Sequence, residues 1–151
     1  MLNTNRTLAD FFGMRVELEV RVGRTALDAI VAHAREAAPA ECCGLLLGHA
    51  AELTEAVRTR NVASQDRSRF VIDPKDHIDG RRDARRRGLE VVGFYHSHPC
   101  SPASPSETDR AEASYPGHLY LIVSLAAASP DIALFRLDQG NFHRLSIVTV
   151  A

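Results

Sequence analysis

Residues 93–109, GFYHSHPCSPASPSETD, put two histidines, a serine and an aspartate into one short stretch between an apolar run and an alanine-rich one. His96 and His98 are two apart on a segment that reads as a strand. Side chains at i and i+2 of a strand point to one face, with Cβ atoms roughly 6–7 Å apart, so two imidazoles can converge on one ion. Pro99 ends the strand and opens an irregular loop. Asp109 comes eleven residues after His98, and Ser106 lies three before it. His, His and Asp make three ligands, the number a catalytic zinc site uses while leaving a position for water. A plainer reading stands beside this one. PSETD is a helix start, with Ser106 as N-cap and Asp109 at the third helical position, and the two form a capping box. A histidine near a core is also commonly just hydrogen-bonded.

A second piece of chemistry lies upstream. APAECCGLLLG places Glu41 immediately before a fully apolar strand. A carboxylate there is costly unless it is paired, hydrogen-bonded or wet. A surface-loop glutamate is the ordinary alternative. If the strand beginning at Cys43 lies near the one ending at His98, Glu41 reaches the water position and serves as the general base that zinc hydrolases need.

These residues require a frame. VELEVRV, 16–22, alternates as a half-buried strand does. TALDAIVAHAREAA follows with Leu27, Ile30, Val31 and Ala34 on one helical face, Thr25 and Asp28 as a variant capping box, and Pro39 at its end. CGLLLG, 43–48, reads as a strand buried on both faces, with 51–57 pairing beside it, and RFVI, 69–72, as a further short strand. Asp73 and Pro74 open a second helix. Its RRDARRRG run reads as a solvated face with an Asp83–Arg87 pair rather than as an anion-binding patch. LEVVGFYHSH is a strand entering the core, ETDRAEASY a short third helix and HLYLIVSL another buried strand. DIALFRL and NFHRLSIVTV flank a DQGN hairpin turn. Helices alternate with strands and a meander closes the chain, which predicts one α/β domain built on a mixed sheet with helices packed on it.

Composition bounds the function. The chain has 151 residues, a single-domain length, with 45% hydrophobic residues and a formal net charge of -1. That balance argues against a nucleic-acid partner. No apolar run approaches the ~20 residues of a membrane span, and residues 1–13 show neither a signal-peptide pattern nor a clean period. They are expected to form a flexible arm, with residues 14–151 as the domain. Cys42, Cys43 and Cys100 are odd in number, which predicts reduced thiols and a cytoplasmic location.

Glu41, then His96-x-His98, seven residues, Ser106, two residues and Asp109 match the JAMM motif without gaps. The chain thereby resembles the JAMM/MPN+ (Mov34-type) zinc metalloproteases over about residues 15–150, and its compactness is similar to that of bacterial and archaeal members. ECCGLLLG, VVGFYHSHP and YPGHLYLIVSL add to the likeness. The resemblance implies a curved mixed β-sheet flanked by helices, an architecture similar to that of the cytidine deaminases. It implies Zn2+ on His96, His98 and Asp109, with Glu41 as general base and acid toward the zinc-bound water and Ser106 stabilising the tetrahedral intermediate. The implied substrate is an isopeptide or peptide bond after the C-terminal Gly-Gly of a ubiquitin-like or sulfur-carrier protein.

Two rival readings fit the residues less well. A zinc deaminase needs His-x-Glu and a later Pro-Cys-x-x-Cys; here His98 stands in the glutamate's place and no Cys-x-x-Cys follows. A non-catalytic MPN-type scaffold or interaction module is the alternative, but scaffolds lose motif residues and this chain keeps all five. Cys100 as a fourth ligand would take the water's position, so it reads as a loop thiol near the site. Cys42 and Cys43 read as buried packing residues. His33, His49, His77, His118 and His143 lack ligand-like spacing. Tyr95, on the opposite strand face from His96, is expected in the core.

Overall fold

The computed structural model describes residues 19–151. The expected arm at 1–13, the domain's start at 14 and the first part of the 16–22 strand lie outside the described residues. The elements run β1 (Glu19–Gly23), α1 (Arg24–Ala37), β2 (Cys43–His49), β3 (Glu52–Thr59), α2 (Pro74–Arg86), β4 (Glu90–His98), α3 (Glu107–Glu112), β5 (Leu119–Ser124), β6 (Asp131–Asp138) and β7 (Asn141–Val150). The sheet order is β1-β3-β2-β4-β5-β6-β7, and β7 pairs with β1 in parallel, so the curved mixed sheet closes on itself.

Two apolar layers cover its faces. On one, Ile30 and Ala34 of α1 pack with Leu46, Leu53, Tyr95 and Leu121. On the other, Ala84 of α2 packs with Leu45, Phe94, Tyr120 and Phe135. A fully buried Ile or Leu contributes about 1.5–3 kcal/mol, and six such side chains lie in β2 and β5 alone: Leu45, Leu46, Leu47, Leu119, Leu121 and Ile122. Both strands are buried along nearly their whole length, as their unbroken apolar runs predict. Gly44 sits opposite Tyr95 in the β2–β4 ladder, and any Cβ there would collide with the Tyr95 ring and the Val57 carbonyl. At the DQGN turn, Gln139 and Gly140 both take positive φ, the conformation a two-residue hairpin of this hand requires.

Two local expectations are corrected. Thr25 does not cap α1: the helix starts at Arg24, with Gly23 in the cap position and no side-chain cap. Strand β1 stays paired with β7 up to Gly23 and runs straight into the helix, which leaves Thr25 inside the first turn. RFVI forms no strand, only one bridge between Asn61 and Ile72. The Asn61 side chain takes main-chain groups of Ala63, Arg69 and Val71 that a ladder would otherwise use. Other signals hold. Asp73 caps α2, accepting from the Lys75 amide with Pro74 in the first turn, and Asp83 pairs with Arg87. Among the described residues no helix is long and apolar enough to cross a membrane.

Candidate functional site

The β2–β4 register builds the site. Cys43 pairs with His96, and the antiparallel ladder is extended by Ser97 N–H donating to the Cys42 carbonyl. Glu41, two residues before Cys43, therefore lies opposite His98. The period of two puts His96 and His98 on the face that carries Phe94, while Tyr95 and Ser97 point the other way. Asp109 arrives from α3. Ser106 caps that helix as expected: its Oγ accepts from the Asp109 amide at 3.0 Å, and its own N–H donates to Asp109 Oδ2 at 2.9 Å.

The ligand atoms converge. His96 Nε2, His98 Nε2 and Asp109 Oδ2 are each 3.1 Å from the other two. Bonds of 2.0–2.1 Å in tetrahedral coordination put neighbouring ligand atoms about 3.3 Å apart, so this triangle matches a cation's requirement. The Glu41 carboxylate lies within 4.8 Å of both imidazole ligand atoms. Its Oε1 is buried and, among the described residues, has no hydrogen-bond partner. A buried carboxylate oxygen left bare is costly, and a water beside a bound metal would supply the missing partner.

His98 is held by its other nitrogen, Nδ1 lying 2.7 Å from the Pro102 carbonyl. That bond assigns the proton to Nδ1 and leaves the Nε2 lone pair facing the ligand position. The Phe70 ring stacks on His96 at 4.3 Å between centroids.

Electrostatics follow from this crowding. Burial pushes the Glu41 carboxyl up to about 7; nearby His98 works against that and Asp109 adds to it. Burial alone would raise Asp109, but its bonds to His96 and His98 hold it well below the usual carboxylate range. Burial lowers His96, outweighing Asp109. Burial would lower His98 too, but the bonds to Asp109 and Pro102 raise it overall. Beside His96 and Asp109 opens a cavity of about 270 Å³ walled by Phe70, Ile72, Phe94, Tyr115 and Tyr120.

The five residues singled out by spacing are thus brought together. The fold around them agrees with known proteins. Residues 24–138 match the family described as prokaryotic homologs of the JAB domain. The chain belongs to that family. It is a compact prokaryotic member of the JAMM/MPN+ group and an enzyme. It is 45% identical over 105 residues to the desampylase of Haloferax volcanii, covering 66% of this chain and 76% of that protein. It is 33% identical over 98 residues to the probable TtuB-protein conjugate cleaving protease of Thermus thermophilus, covering 65% of this chain and 66% of that one. A solution structure of a Desulfitobacterium hafniense protein, 30% identical, superposes with a TM-score of 0.79 over 87% of this chain and 92% of its own. A structure described as a JAMM metalloprotease-like zinc site of the proteasome and signalosome superposes at 0.54, with 22% identity over 85% of this chain and 97% of its own, and shares the fold.

Of the residues left aside in the sequence, Cys42 and Cys43 are buried, and burial pushes their thiols up to about 11 and about 12. Cys100 is an exposed free thiol. His77 lines the cavity and accepts from Arg81 Nε at 2.8 Å. Phe70 and Asn61 were missed. Each reaches the site through a loop closing on itself, and no periodicity in the sequence marks such a contact.

Proposed function

We propose that this JAMM-family protein is a zinc-dependent hydrolase that cleaves the peptide or isopeptide bond after the C-terminal Gly-Gly of a ubiquitin-like or sulfur-carrier protein. The observation that carries the reading is the triangle of His96, His98 and Asp109 donor atoms facing the unpartnered Glu41 oxygen. The names of the relatives support the substrate class, since one is a desampylase and another a conjugate-cleaving protease.

His96, His98 and Asp109 would hold the metal. Zinc bound there supplies a Lewis acid and makes hydroxide available near neutral pH. Glu41 accepts the attacking water's proton on its free oxygen and returns it to the leaving amine. Its carboxylate, within 4.8 Å of the His96 and His98 nitrogens and with a buried oxygen unpartnered among the described residues, is placed for that task. Ser106 Oγ accepts from the Asp109 amide and, among the described residues, donates no bond, so its O–H is available to the oxyanion of the tetrahedral intermediate. A Gly-Gly tail carries no side chains and so approaches buried ligands closely. The functional unit is residues 14–151, and we place it in the cytoplasm with no nucleic-acid partner.

The test offers zinc-loaded protein three substrates: a ubiquitin-like protein joined through its Gly-Gly terminus to cysteine, to a peptide, or to a lysine side chain. Release of an intact Gly-Gly terminus from at least one is expected. Zinc bound stoichiometrically with none of the three cleaved would overturn the hydrolase reading and favour a scaffold.

A further inference from the structure

Glu41 is the residue the proposed chemistry asks most of, yet its own strand does not hold it. It lies ahead of β2, and both of its main-chain polar groups bond to the segment that follows β3. Its N–H donates to the Asp66 carbonyl at 2.7 Å, and its carbonyl accepts from Asn61 Nδ2 at 3.0 Å. The Asn61 side chain is used to capacity. Nδ2 also donates to the Arg69 carbonyl at 3.1 Å, and Oδ1 accepts from the Ala63 and Val71 amides, each at 3.0 Å. An amide group offers two donor hydrogens and two acceptor lone pairs, and all four are taken. Arg69 and Val71 flank Phe70, whose ring stacks on His96. Arg69 also pairs with Glu112 of α3, the helix that carries Asp109. One side chain thus ties the main chain of the proton-transfer residue to the ring packed against a metal ligand.

We infer that Asn61 is a positioning residue that keeps Glu41 in register with the His96–His98–Asp109 set. The inference rests on the proton-transfer role proposed for Glu41. The Asn61 side chain spends its bonds on main-chain groups and acts through Glu41 and the residues flanking Phe70. Asn61→Asp keeps the shape and both acceptors but removes both donors and turns a carboxylate toward two carbonyl oxygens. Glu41 is then free to drift, and a misplacement of about 1 Å can cost ~10² in rate.

The experiment is a double-mutant cycle on the zinc-loaded protein. Asn61→Asp is expected to lower kcat roughly 10- to 100-fold, with KM changed less than about threefold and zinc still stoichiometric. In a Glu41→Gln background the same change is expected to have almost no further effect, because residues acting as one unit are non-additive. Equal losses in both backgrounds, or an unchanged kcat, would overturn the inference. A second readout needs no activity. In metal-free Asn61→Asp the Glu41 amide should exchange with solvent about tenfold faster or more and the His96 ring protons should shift as Phe70 moves, while Leu121 amide exchange stays as in the parent. Unchanged Glu41 exchange and His96 shifts overturn it as well, even if the parent cleaves no Gly-Gly substrate. Should Asn61→Asp not fold, Asn61→Ser, which keeps one donor and adds no charge, takes its place in both measurements.

Discussion

Strand β4 carries polar side chains on both faces, and the two faces treat them in opposite ways. On the α1 side every one has a built partner. Tyr95 Oη meets His33 Nδ1 at 2.7 Å, and Ser97 Oγ accepts from the Cys42 amide at 2.8 Å. On the α2 side, His96 and His98 crowd their nitrogens against Asp109 Oδ2, and Glu41 Oε1 has no partner among the described residues. The first face satisfies its polar groups internally and contributes to stability. The second leaves them facing a common point, an arrangement costly in itself that the proposed cation and water would complete.

That contrast can be broken or sharpened by substitution. The largest effect is expected from Asp109→Ala, which removes one of the three proposed ligands. Zinc content measured after dialysis should fall well below one per chain, and cleavage should disappear; full occupancy would break the ligand assignment. Next is Glu41→Gln, which should keep the zinc and the fold but lower turnover toward the upper end of ~10²–10⁴ or beyond, since in the proposed mechanism one group both takes and returns the proton. Ser106→Ala should lower turnover by about 10²–10³ if its hydroxyl donates to the oxyanion. As a cap alone it would cost only about 1 kcal/mol of stability and leave kcat unchanged.

A smaller effect concerns pH. The Glu41 carboxyl is raised in the fold from 4.5 to about 7. Its neutral form therefore contributes stability fully below about pH 4.5, and the contribution is lost as pH rises through 7. Metal-free protein should melt at progressively lower temperature across that window, and metal-free Glu41→Gln should lack this component. Parallel curves for the two proteins would mean that Glu41 is solvated. The smallest effect is expected on the other face. Tyr95→Phe should cost about 1 kcal/mol through the lost bond to His33 and leave kcat and zinc content as in the parent, so a large loss of activity there would dissolve the distinction between the faces.

The site was legible because a strand's period of two is local information. His96 and His98 had to share a face wherever β4 lay. PSETD had to start a helix, and its capping box brings Ser106 to the Asp109 amide at 3.0 Å. The alternation of Phe94 and Tyr95 between the two apolar layers follows from the same rule. Less legible were features in which tertiary bonding outcompetes local propensity. RFVI has strand-forming residues but meets the Asn61 side chain in place of a neighbouring strand. Thr25 is a good capping residue displaced because β1 holds Gly23 in a ladder with Val150.

By itself, then, the sequence determined the types of the candidate ligands, their spacing and the alternation of polar and apolar faces, since each depends on bond geometry over a few residues. Only the tertiary structure decided that Glu41 reaches them. That depends on Cys43 pairing with His96 across more than fifty residues of chain, and a one-residue slip of that register would have turned Glu41 to the opposite face. The structure alone also decided how Glu41 is held, through Asn61 and Asp66 on a loop that spacing cannot place. Hydrogen bonds to main-chain carbonyls leave no trace in residue type at the accepting end, because every residue carries the same carbonyl.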